Sequence, residues 1–272
     1  MWKPEDNLIS AEDLHGLLGN SQLVIADSRS DLLDRELGFR QYRESHIPNA
    51  IFVSVDEDLA DPPGRRGRHP LPSKERFADF LGRSGISNES HVVVYDAGNG
   101  MFVCRLWWML RWLGHERVSV LDGGFAAWQE AGFETATDIP VPKPTEFSIG
   151  KPLTRTVTAE EVLNHRGVLV DARAEDRFQG FNETMDHTAG HIPGAICSPF
   201  LKNIGSDGKF TRDPKKFEGV AKDSDVICYC GSGVTATNNI LAMLVSGYDE
   251  PALYPGSWSE WIEDPSRPKV PE

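Results

Sequence analysis

The sequence predicts an α/β protein made of two tandem copies of one domain, each a mainly parallel sheet flanked by helices. Two observations predict this fold: an internal repeat through the whole chain, and short apolar runs that alternate with helical patterns. The apolar runs are continuous, which is typical of strands buried on both faces of a parallel sheet. Ligands of such folds gather at the carboxyl ends of the strands, so we expect the functional residues there.

Four pairs of segments recur in the same order along the chain. They are LVIADSR and VLVDAR, HIPNA and HIPGA, HVVVYDAGNG and DVICYCGSGV, and LDGGFAAW and YPGSWSEW. The copies are offset by 145 residues at the HIP motifs and by 134 residues at the third strands. The first copy therefore has extra residues in or near DEDLADPPGRRGRHPLP, where proline, glycine and charge predict a long, solvated loop. The arginines of this loop would attract anions at long range.

Within each copy the elements follow from the local pattern. In the first copy, VVVYD predicts a strand, FVCRLWWMLRWL an apolar helix, VSVL a strand, and the run from Phe125 to Glu130 a helix. In the second copy, the strand VICYC precedes the helix TNNILAMLV. Tryptophans at helical spacing indicate core packing rather than a binding stripe. We predict domains at 1–138 and 153–272, joined by a proline-rich, extended linker at 139–152.

Composition excludes several classes of protein. The chain has 28 basic and 41 acidic residues and a net charge of −13, which disfavours binding to nucleic acid. No apolar run has the roughly 18 residues that a membrane span requires, and the start of the sequence has no signal-peptide pattern. Four cysteines cannot form a disulfide scaffold, which favours a reducing compartment, so we expect a cytoplasmic protein.

The two copies differ most where the third strand ends. Aligning VVVYD with VICYC places Asp96 opposite Cys230. The residues after the cysteine are Gly231, Ser232, Gly233, Val234 and Thr235, followed by a predicted helix. Glycines let successive N–H groups turn inward, so we expect an anion-binding nest with Cys230 as a thiolate nucleophile at its base. The alternative from the residues alone is a buried structural cysteine.

The remaining cysteines and the repeated histidines have simpler interpretations. Cys104, Cys197 and Cys228 lie in apolar runs, so we expect them in the core. The cysteine spacing does not match a zinc site, and we predict no metal. His46 and His191 recur in both copies, including the copy without a nucleophile, which indicates a structural role.

The motifs HIPNA and HIPGA, the loop CGSGVTA and the terminal YPGSWSEW closely resemble the rhodanese superfamily over nearly the whole chain. The tandem arrangement, in which the first copy lacks the cysteine, is similar to the arrangement of two-domain sulfurtransferases. The loop CGSGVT resembles that of 3-mercaptopyruvate sulfurtransferases, whereas thiosulfate enzymes typically have basic residues after the cysteine. Since Gly231 and Ser232 supply no charge, we expect the thiosulfate dianion to lack a close counter-charge.

The resemblance implies a reaction and its residues. Cys230 would accept sulfur from 3-mercaptopyruvate as a persulfide and pass it to cyanide or a thiol, thioredoxin being one possible acceptor, with no cofactor. The N–H groups of the loop residues 231 and 233–235 would bind substrate. Ser232, His69 and Asp56 would move protons, and because His69 and Asp56 precede the linker, the site should draw on both copies. From spacing alone, His69 and Asp56 are ordinary loop residues.

Arg177 matches an arginine that the family uses to bind substrate anions. Its alternative is a surface ion pair with Glu175 or Asp176. The sequence departs from the family nine residues further on, where Asp186 stands in place of a second arginine. This departure favours thiosulfate, while the loop favours 3-mercaptopyruvate.

Three alternatives to this enzyme can be distinguished. Thiosulfate sulfurtransferase activity is the first, and a non-enzymatic persulfide carrier is the second. The third is a phosphatase of the Cdc25 type, which shares the fold but needs an arginine at the end of a C-x5-R loop. That position holds Ala236, which argues against a phosphatase.

Overall fold

A computed structural model describes residues 3–31 and 33–271. Its contacts divide the chain into two units. The first contains the chain up to Ala60, Pro72–Leu153 and Ile204–Phe210, and the second contains Asp61–Leu71, Thr154–Asn203 and the chain from Thr211 onward. Each unit has a parallel sheet flanked by helices, which confirms the predicted α/β fold.

Among the described residues, the first unit has a five-stranded parallel sheet in the order β1-β5-β4-β2-β3. Its strands are β1 (Leu8–Ile9), β2 (Leu23–Asp27), β3 (Ile51–Phe52), β4 (His91–Tyr95) and β5 (Val118–Leu121). Its helices are α1 (Ala11–Leu17), α2 (Leu37–Glu44), α3 (Lys74–Arg83), α4 (Val103–Trp112) and α5 (Gly124–Glu130), after a short 3-10 helix at Pro4–Asn7. The central strand β4 is almost fully buried, as its continuous apolar sequence predicts.

Helix α4 is the apolar helix that the sequence predicts in the first copy. Trp107 and Trp108 are fully buried, and the indole N–H of Trp107 donates to Asn7 Oδ1 at 2.9 Å. The tryptophans therefore belong to the core, as their helical spacing indicates. The proline-rich residues 139–152 form no helix or strand.

The second unit repeats this plan with a four-stranded parallel sheet, within the described residues, in the order β7-β6-β8-β9. Its strands are β6 (Val168–Asp171), β7 (Ile196–Cys197), β8 (Val226–Tyr229) and β9 (Ala252–Leu253). Its helices are α6 (Ala159–Asn164), α7 (Glu175–Phe178), α8 (Ala236–Val245) and α9 (Ser257–Trp261), with 3-10 helices at Phe200–Asn203 and Pro214–Phe217. Within residues 3–31 and 33–271, the helices are too short or too polar to span a bilayer.

The repeated HIP motifs have the same structural role in both units. His46 Nδ1 lies 2.7 Å from the carbonyl oxygen of Tyr42, and His191 Nδ1 lies 2.8 Å from that of Phe178. Each histidine ring thus fastens the motif to the helix before it. These contacts support the structural interpretation of both histidines.

Candidate active site

Cys230 lies directly after the central strand β8 and is 2% exposed. Its backbone N–H donates to Ser257 Oγ at 3.1 Å, and its carbonyl accepts the N–H of Trp258 at 2.9 Å. The N–H of Gly233 points back at the cysteine, with its nitrogen 3.1 Å from Sγ. The sulfur is therefore held in a rigid loop with a backbone donor directed at it.

Both glycines of this loop lie at close approaches, of backbone at Gly233 and of a flexible side chain at Gly231. Gly233 has φ +77°, and a Cβ there would lie 2.3 Å from the carbonyl oxygen of Pro255. A Cβ on Gly231 would lie 2.7 Å from a guanidinium nitrogen of Arg68. Thr235 is the N-cap of α8, so the positive end of that helix lies at the loop.

Ser232 and His69, which the family resemblance groups together, are in contact. Nδ1 of His69 lies 2.8 Å from Ser232 Oγ, and Ser232 is buried. His69 belongs to the second unit, through the segment Asp61–Leu71. Asp56 belongs to the first unit, where its carboxylate lies 3.5 Å from Nε of Arg35.

Arg177 is bound by carboxylates that the sequence did not suggest. Its Nε and Nη2 donate to Glu183 at 2.9–3.1 Å, and Nη2 also donates to Asp186 at 3.2 Å. The alternative pairing with Glu175 or Asp176 is wrong for the side chain; only the backbone N–H of Arg177 contacts Asp176. Glu183, with a side chain 2% exposed, also contacts Arg173.

Two guanidinium groups converge on the neutral loop. Asp186 forms an ion pair with Arg68 as well as contacting Arg177. A Cβ on Gly231 would lie 2.7 Å from Nη2 of Arg68 and 3.4 Å from Nη2 of Arg177. The expectation that an anion at the loop lacks a close counter-charge is therefore wrong. The charge comes from elsewhere in the chain rather than from the loop.

Electrostatics disfavour the three other cysteines as nucleophiles. Burial raises the pKa of Cys104, and burial together with the charge of Cys230 raises that of Cys228. Burial, with smaller contributions from Asp171 and Glu175, raises the pKa of Cys197 to about 11. These three side chains therefore stay protonated near neutral pH, and a thiol is a poor nucleophile. Within residues 3–31 and 33–271, no cluster of metal-ligating side chains is present.

Ser257 is a site residue that the sequence analysis did not identify. It has φ 54°, a left-handed conformation that is uncommon for residues other than glycine. Its Oγ accepts the N–H of Cys230 and donates to the carbonyl of Tyr254 at 2.9 Å. The signal was available: the repeat aligns Ser257 with Gly124 of the first copy.

Comparison with known proteins agrees with this geometry. The model of the rhodanese-like domain matches residues 10–131 and again residues 157–264. A "Probable 3-mercaptopyruvate sulfurtransferase" from Pseudomonas aeruginosa is 42% identical, over 96% of this chain and 96% of the relative. The thiosulfate sulfurtransferase of Cricetulus griseus is 37% identical, over 82% of this chain and 79% of the relative. SseA from Escherichia coli, a solved structure described as a 3-mercaptopyruvate sulfotransferase, has a TM-score of 0.82 at 32% identity, covering 93% of this chain and 99% of that chain.

Two parallel α/β units, with one cysteine held in a backbone nest after the central strand of the second, define the class of tandem sulfurtransferases. The chain belongs to the rhodanese family and is an enzyme of the sulfurtransferase class. The resemblance seen in the sequence is thereby confirmed.

Proposed function

We propose that the protein takes a sulfur atom from 3-mercaptopyruvate, holds it as a persulfide on Cys230, and passes it to cyanide or a thiol. One observation carries the choice of donor: the hydrogen bond between Ser232 and His69, at 2.8 Å, in the loop of Cys230. The sulfur of 3-mercaptopyruvate carries a proton and leaves a carbon atom, so a proton must move during the transfer. Thiosulfate carries no such proton, and its sulfite product leaves without proton transfer. A serine–histidine pair would therefore contribute little to the reaction of thiosulfate.

In the first half-reaction, the Cys230 thiolate attacks the donor sulfur. An S–S bond forms and the C–S bond breaks, with its electron pair leaving as the enolate of pyruvate. Ser232 and His69 then convey the proton of the donor thiol to the enolate carbon. The products are pyruvate and a persulfide anion on Cys230, so atoms and charge balance.

The loop provides the stabilisation that this step needs. The N–H of Gly233 already points at Sγ, and the neighbouring N–H groups, of residues 231, 234 and 235, would serve the outer sulfur and the substrate. Backbone donors that are fixed before the reaction stabilise developing negative charge without reorganising. Arg177 would bind the donor carboxylate, and Asp56 would orient the ring of His69, as the family resemblance implies.

In the second half-reaction, a thiolate or cyanide attacks the outer sulfur, and Sγ leaves as the thiolate. A thiol protein such as thioredoxin would be a suitable acceptor. All four cysteines are free, which suits a reducing compartment such as the cytoplasm. We include both the acceptor and the compartment in the proposal.

Thiosulfate is the second candidate donor. The observation that favours it is the pair of guanidinium groups, of Arg68 and Arg177, beside Gly231. A dianion would find positive charge there, and a relative at 37% identity is a thiosulfate sulfurtransferase. We place it second because charge suits either anion, whereas proton transfer suits only the thiol donor.

The test is steady-state kinetics with both donors, for the unmodified protein and for Ser232→Ala. We expect kcat/KM for 3-mercaptopyruvate to exceed that for thiosulfate by about tenfold or more, because only the thiol donor would use proton transfer through Ser232 and His69. Ser232→Ala should lower kcat with 3-mercaptopyruvate by about a hundredfold, the usual size of a proton-transfer contribution. It should lower kcat with thiosulfate by less than about threefold.

The control is Ser224→Ala, in the second unit, where the N–H of Ser224 donates to the carbonyl of Ala221; it should change neither rate. Equal losses with both donors in Ser232→Ala would contradict a role in proton transfer. A higher kcat/KM for thiosulfate in the unmodified protein would reverse the order of the two donors.

A further inference from the structure

Asn99 and Gly100 lie in the loop after β4, which corresponds in the first copy to the loop of Cys230. The side chain of Asn99 is exposed, and Gly100 has φ +67°. When a glycine follows an asparagine, its backbone nitrogen has no neighbouring Cβ to hinder attack on the asparagine side chain. Such a pair can lose the side-chain amide, and the surrounding contacts decide whether the fold promotes or prevents that reaction.

The backbone nitrogen of Gly100, the nucleophile of such a reaction, faces a carboxylate. Its N–H donates to Asp96 Oδ1 at 3.4 Å, and the same oxygen accepts the N–H of Gly98 at 2.8 Å. Asp96 is 2% exposed, and burial raises the pKa of its carboxyl. A carboxylate with a raised pKa takes up a proton more readily, so Asp96 can act as a general base toward the N–H of Gly100.

The side-chain carbonyl of Asn99, the electrophile, is held from the other side of the glycine. Asn99 Oδ1 accepts the N–H of Met101 at 3.1 Å. Attack by the Gly100 nitrogen on Cγ of Asn99 would close a small ring and place negative charge on that oxygen. A donor that is already in position stabilises this charge as it develops. The loop therefore supplies a base, a nucleophile and a donor for the oxyanion.

Asn20 provides a comparison within the same unit. It is also exposed, and its Oδ1 accepts the N–H of Gln22 at 2.9 Å, so its carbonyl is held in the same way. The next residue is Ser21, which has a side chain, and in the described part of the chain no carboxylate accepts its N–H. Asn20 thus has the held carbonyl but neither the glycine nor the base.

We propose that Asn99 is a site of self-modification, at which Asp96 and Met101 promote conversion of the side-chain amide to an acid. The carboxylate of Asp96 takes the N–H proton while the nitrogen of Gly100 forms a bond to Cγ of Asn99. The bond from Cγ to the side-chain nitrogen then breaks, and that nitrogen leaves as ammonia with the proton returned by Asp96. Water opens the resulting succinimide to aspartate or isoaspartate, so atoms balance with water consumed and ammonia released.

The product would weaken the loop of the first copy. Isoaspartate adds one carbon atom to the main chain before Gly100, which displaces the N–H groups that Asp96 accepts from Gly100 and Phe102. Aspartate would place a second carboxylate in the loop of the buried Asp96. Molecules that have reacted should therefore unfold at a lower temperature. The reaction does not involve Cys230, so this inference is independent of the proposed function.

The experiment keeps the full-length protein near neutral pH, either native or unfolded in guanidinium chloride, and measures the acid form at residues 99 and 20 by peptide mass spectrometry. Asn99 should react about threefold or more faster in native than in unfolded protein, because only the fold brings Asp96 to the N–H of Gly100. Asn20 should show no such acceleration. Slower reaction of Asn99 in the native protein would overturn the inference, since the fold would then protect the pair.

Asp96→Asn tests the base directly, because it keeps an oxygen acceptor but cannot take up the proton. It should lower the native rate at Asn99 about tenfold and leave the unfolded rate unchanged. Asp79→Asn, on the exposed face of α3, is the matched control and should leave the native rate within about twofold. An unchanged native rate in folded Asp96→Asn would refute the role of Asp96.

Asn99→Gln tests the consequence for stability. A longer side chain closes the ring less readily, so the fall in Tm that we expect of stored protein should be absent from this variant. An equal fall in Asn99→Gln and in the unmodified protein would refute the link between this site and stability. If Asp96→Asn fails to fold, the comparison of native with unfolded protein decides the inference alone.

Discussion

The loop after β4 and the loop after β8 follow equivalent strands in the two copies of the domain. The residues around the two loops form the same contacts. Arg29 Nη2 binds Asp27 at 2.6 Å after β2, and Arg173 Nη2 binds Asp171 at 2.7 Å after β6. In both copies the isoleucine N–H of the HIP motif donates to a tyrosine hydroxyl at 3.2 Å. The scaffold is thus conserved between the copies to the level of single hydrogen bonds.

The loops themselves differ in what fills them. In the first copy the carboxylate of Asp96 accepts the N–H of Gly98 at 2.8 Å and those of Gly100 and Phe102 at 3.4 Å. The loop therefore encloses an acceptor of its own, attached to the chain. In the second copy Cys230 stands at that point, with the N–H of Gly233 directed at its sulfur. The same position thus holds a built-in carboxylate in the first copy and, in the second, the cysteine that we propose as the sulfur carrier.

A second difference lies in the segment that closes each loop. Gly124 has φ +59°, and a Cβ there would lie 2.6 Å from the carbonyl oxygen of Asp96. Ser257 holds the equivalent position at φ 54° and supplies the acceptor for the N–H of Cys230. The second copy thus has a side chain in a strained conformation where the first copy has none. Such strain is common at functional sites.

The largest expected effect comes from replacing Cys230 by aspartate, the residue at the equivalent position of the first copy. Both Cys230→Asp and a second variant, Cys230→Ser, should lower kcat/KM by about a thousandfold or more, because neither side chain can carry sulfur. After incubation with donor, mass spectrometry should find one added sulfur on unmodified protein and none on either variant. Fragment ions must separate Cys230 from Cys228, which shares its peptide.

The matched control is Cys197→Ser, which replaces a half-buried cysteine outside the loop and should keep activity within about twofold. Substantial turnover by Cys230→Ser would refute the assignment of the sulfur carrier. Added sulfur on another cysteine would do the same.

The next effect concerns stability rather than rate. Asp96→Ala removes the acceptor of several buried N–H groups, so we expect the free energy of unfolding to fall by about 1–3 kcal/mol. Activity per folded molecule should change little. Urea unfolding of both proteins at a series of pH values measures the difference.

The pH dependence of that difference has a defined sign. Burial raises the pKa of Asp96 above its ordinary value of 3.8, against the opposing effect of the backbone N–H groups. The folded protein therefore binds a proton at this carboxyl more tightly than the unfolded chain does, so its contribution to stability decreases as pH rises from about 3.8 through the raised pKa. The loss in Asp96→Ala should be largest at low pH and should shrink as pH rises. A loss that grows with pH would show that the carboxylate is the better-stabilised form.

The smallest effect separates strain from hydrogen bonding at Ser257. Both Ser257→Ala and Ser257→Gly remove the acceptor of the Cys230 N–H, but only glycine relieves the left-handed backbone. We therefore expect Ser257→Gly to be more stable than Ser257→Ala by about 1 kcal/mol. The same pair at Ser246, where φ is −90°, should show no advantage for glycine. Equal stabilities at both positions would mean that Ser257 is not strained.

The elements and the nucleophile loop could be predicted because their signals are local or repeated. The predicted helix over residues 102–113 is Val103–Trp112 in the structure, and VVVYD falls on β4 (His91–Tyr95) with its final aspartate just beyond. The contact of Arg68 with Asp186 could not be predicted from spacing, because the two residues are 118 apart in sequence. Glu183 is only 6 residues from Arg177, but the turn between them is specified by no pattern, so this pair could not be predicted either. Both pairs of side chains depend on the packed fold.

Asp61–Leu71 belongs to the second unit and Ile204–Phe210 to the first, which limits how the gene can be divided. Neither unit is one uninterrupted stretch of the gene, so a single cut in the linker does not separate them cleanly. A deletion that removed the first half would also remove His69, and with it the neighbour of Ser232. The half of the gene that encodes no loop cysteine thus encodes part of the unit that contains Cys230, so neither half can be discarded alone.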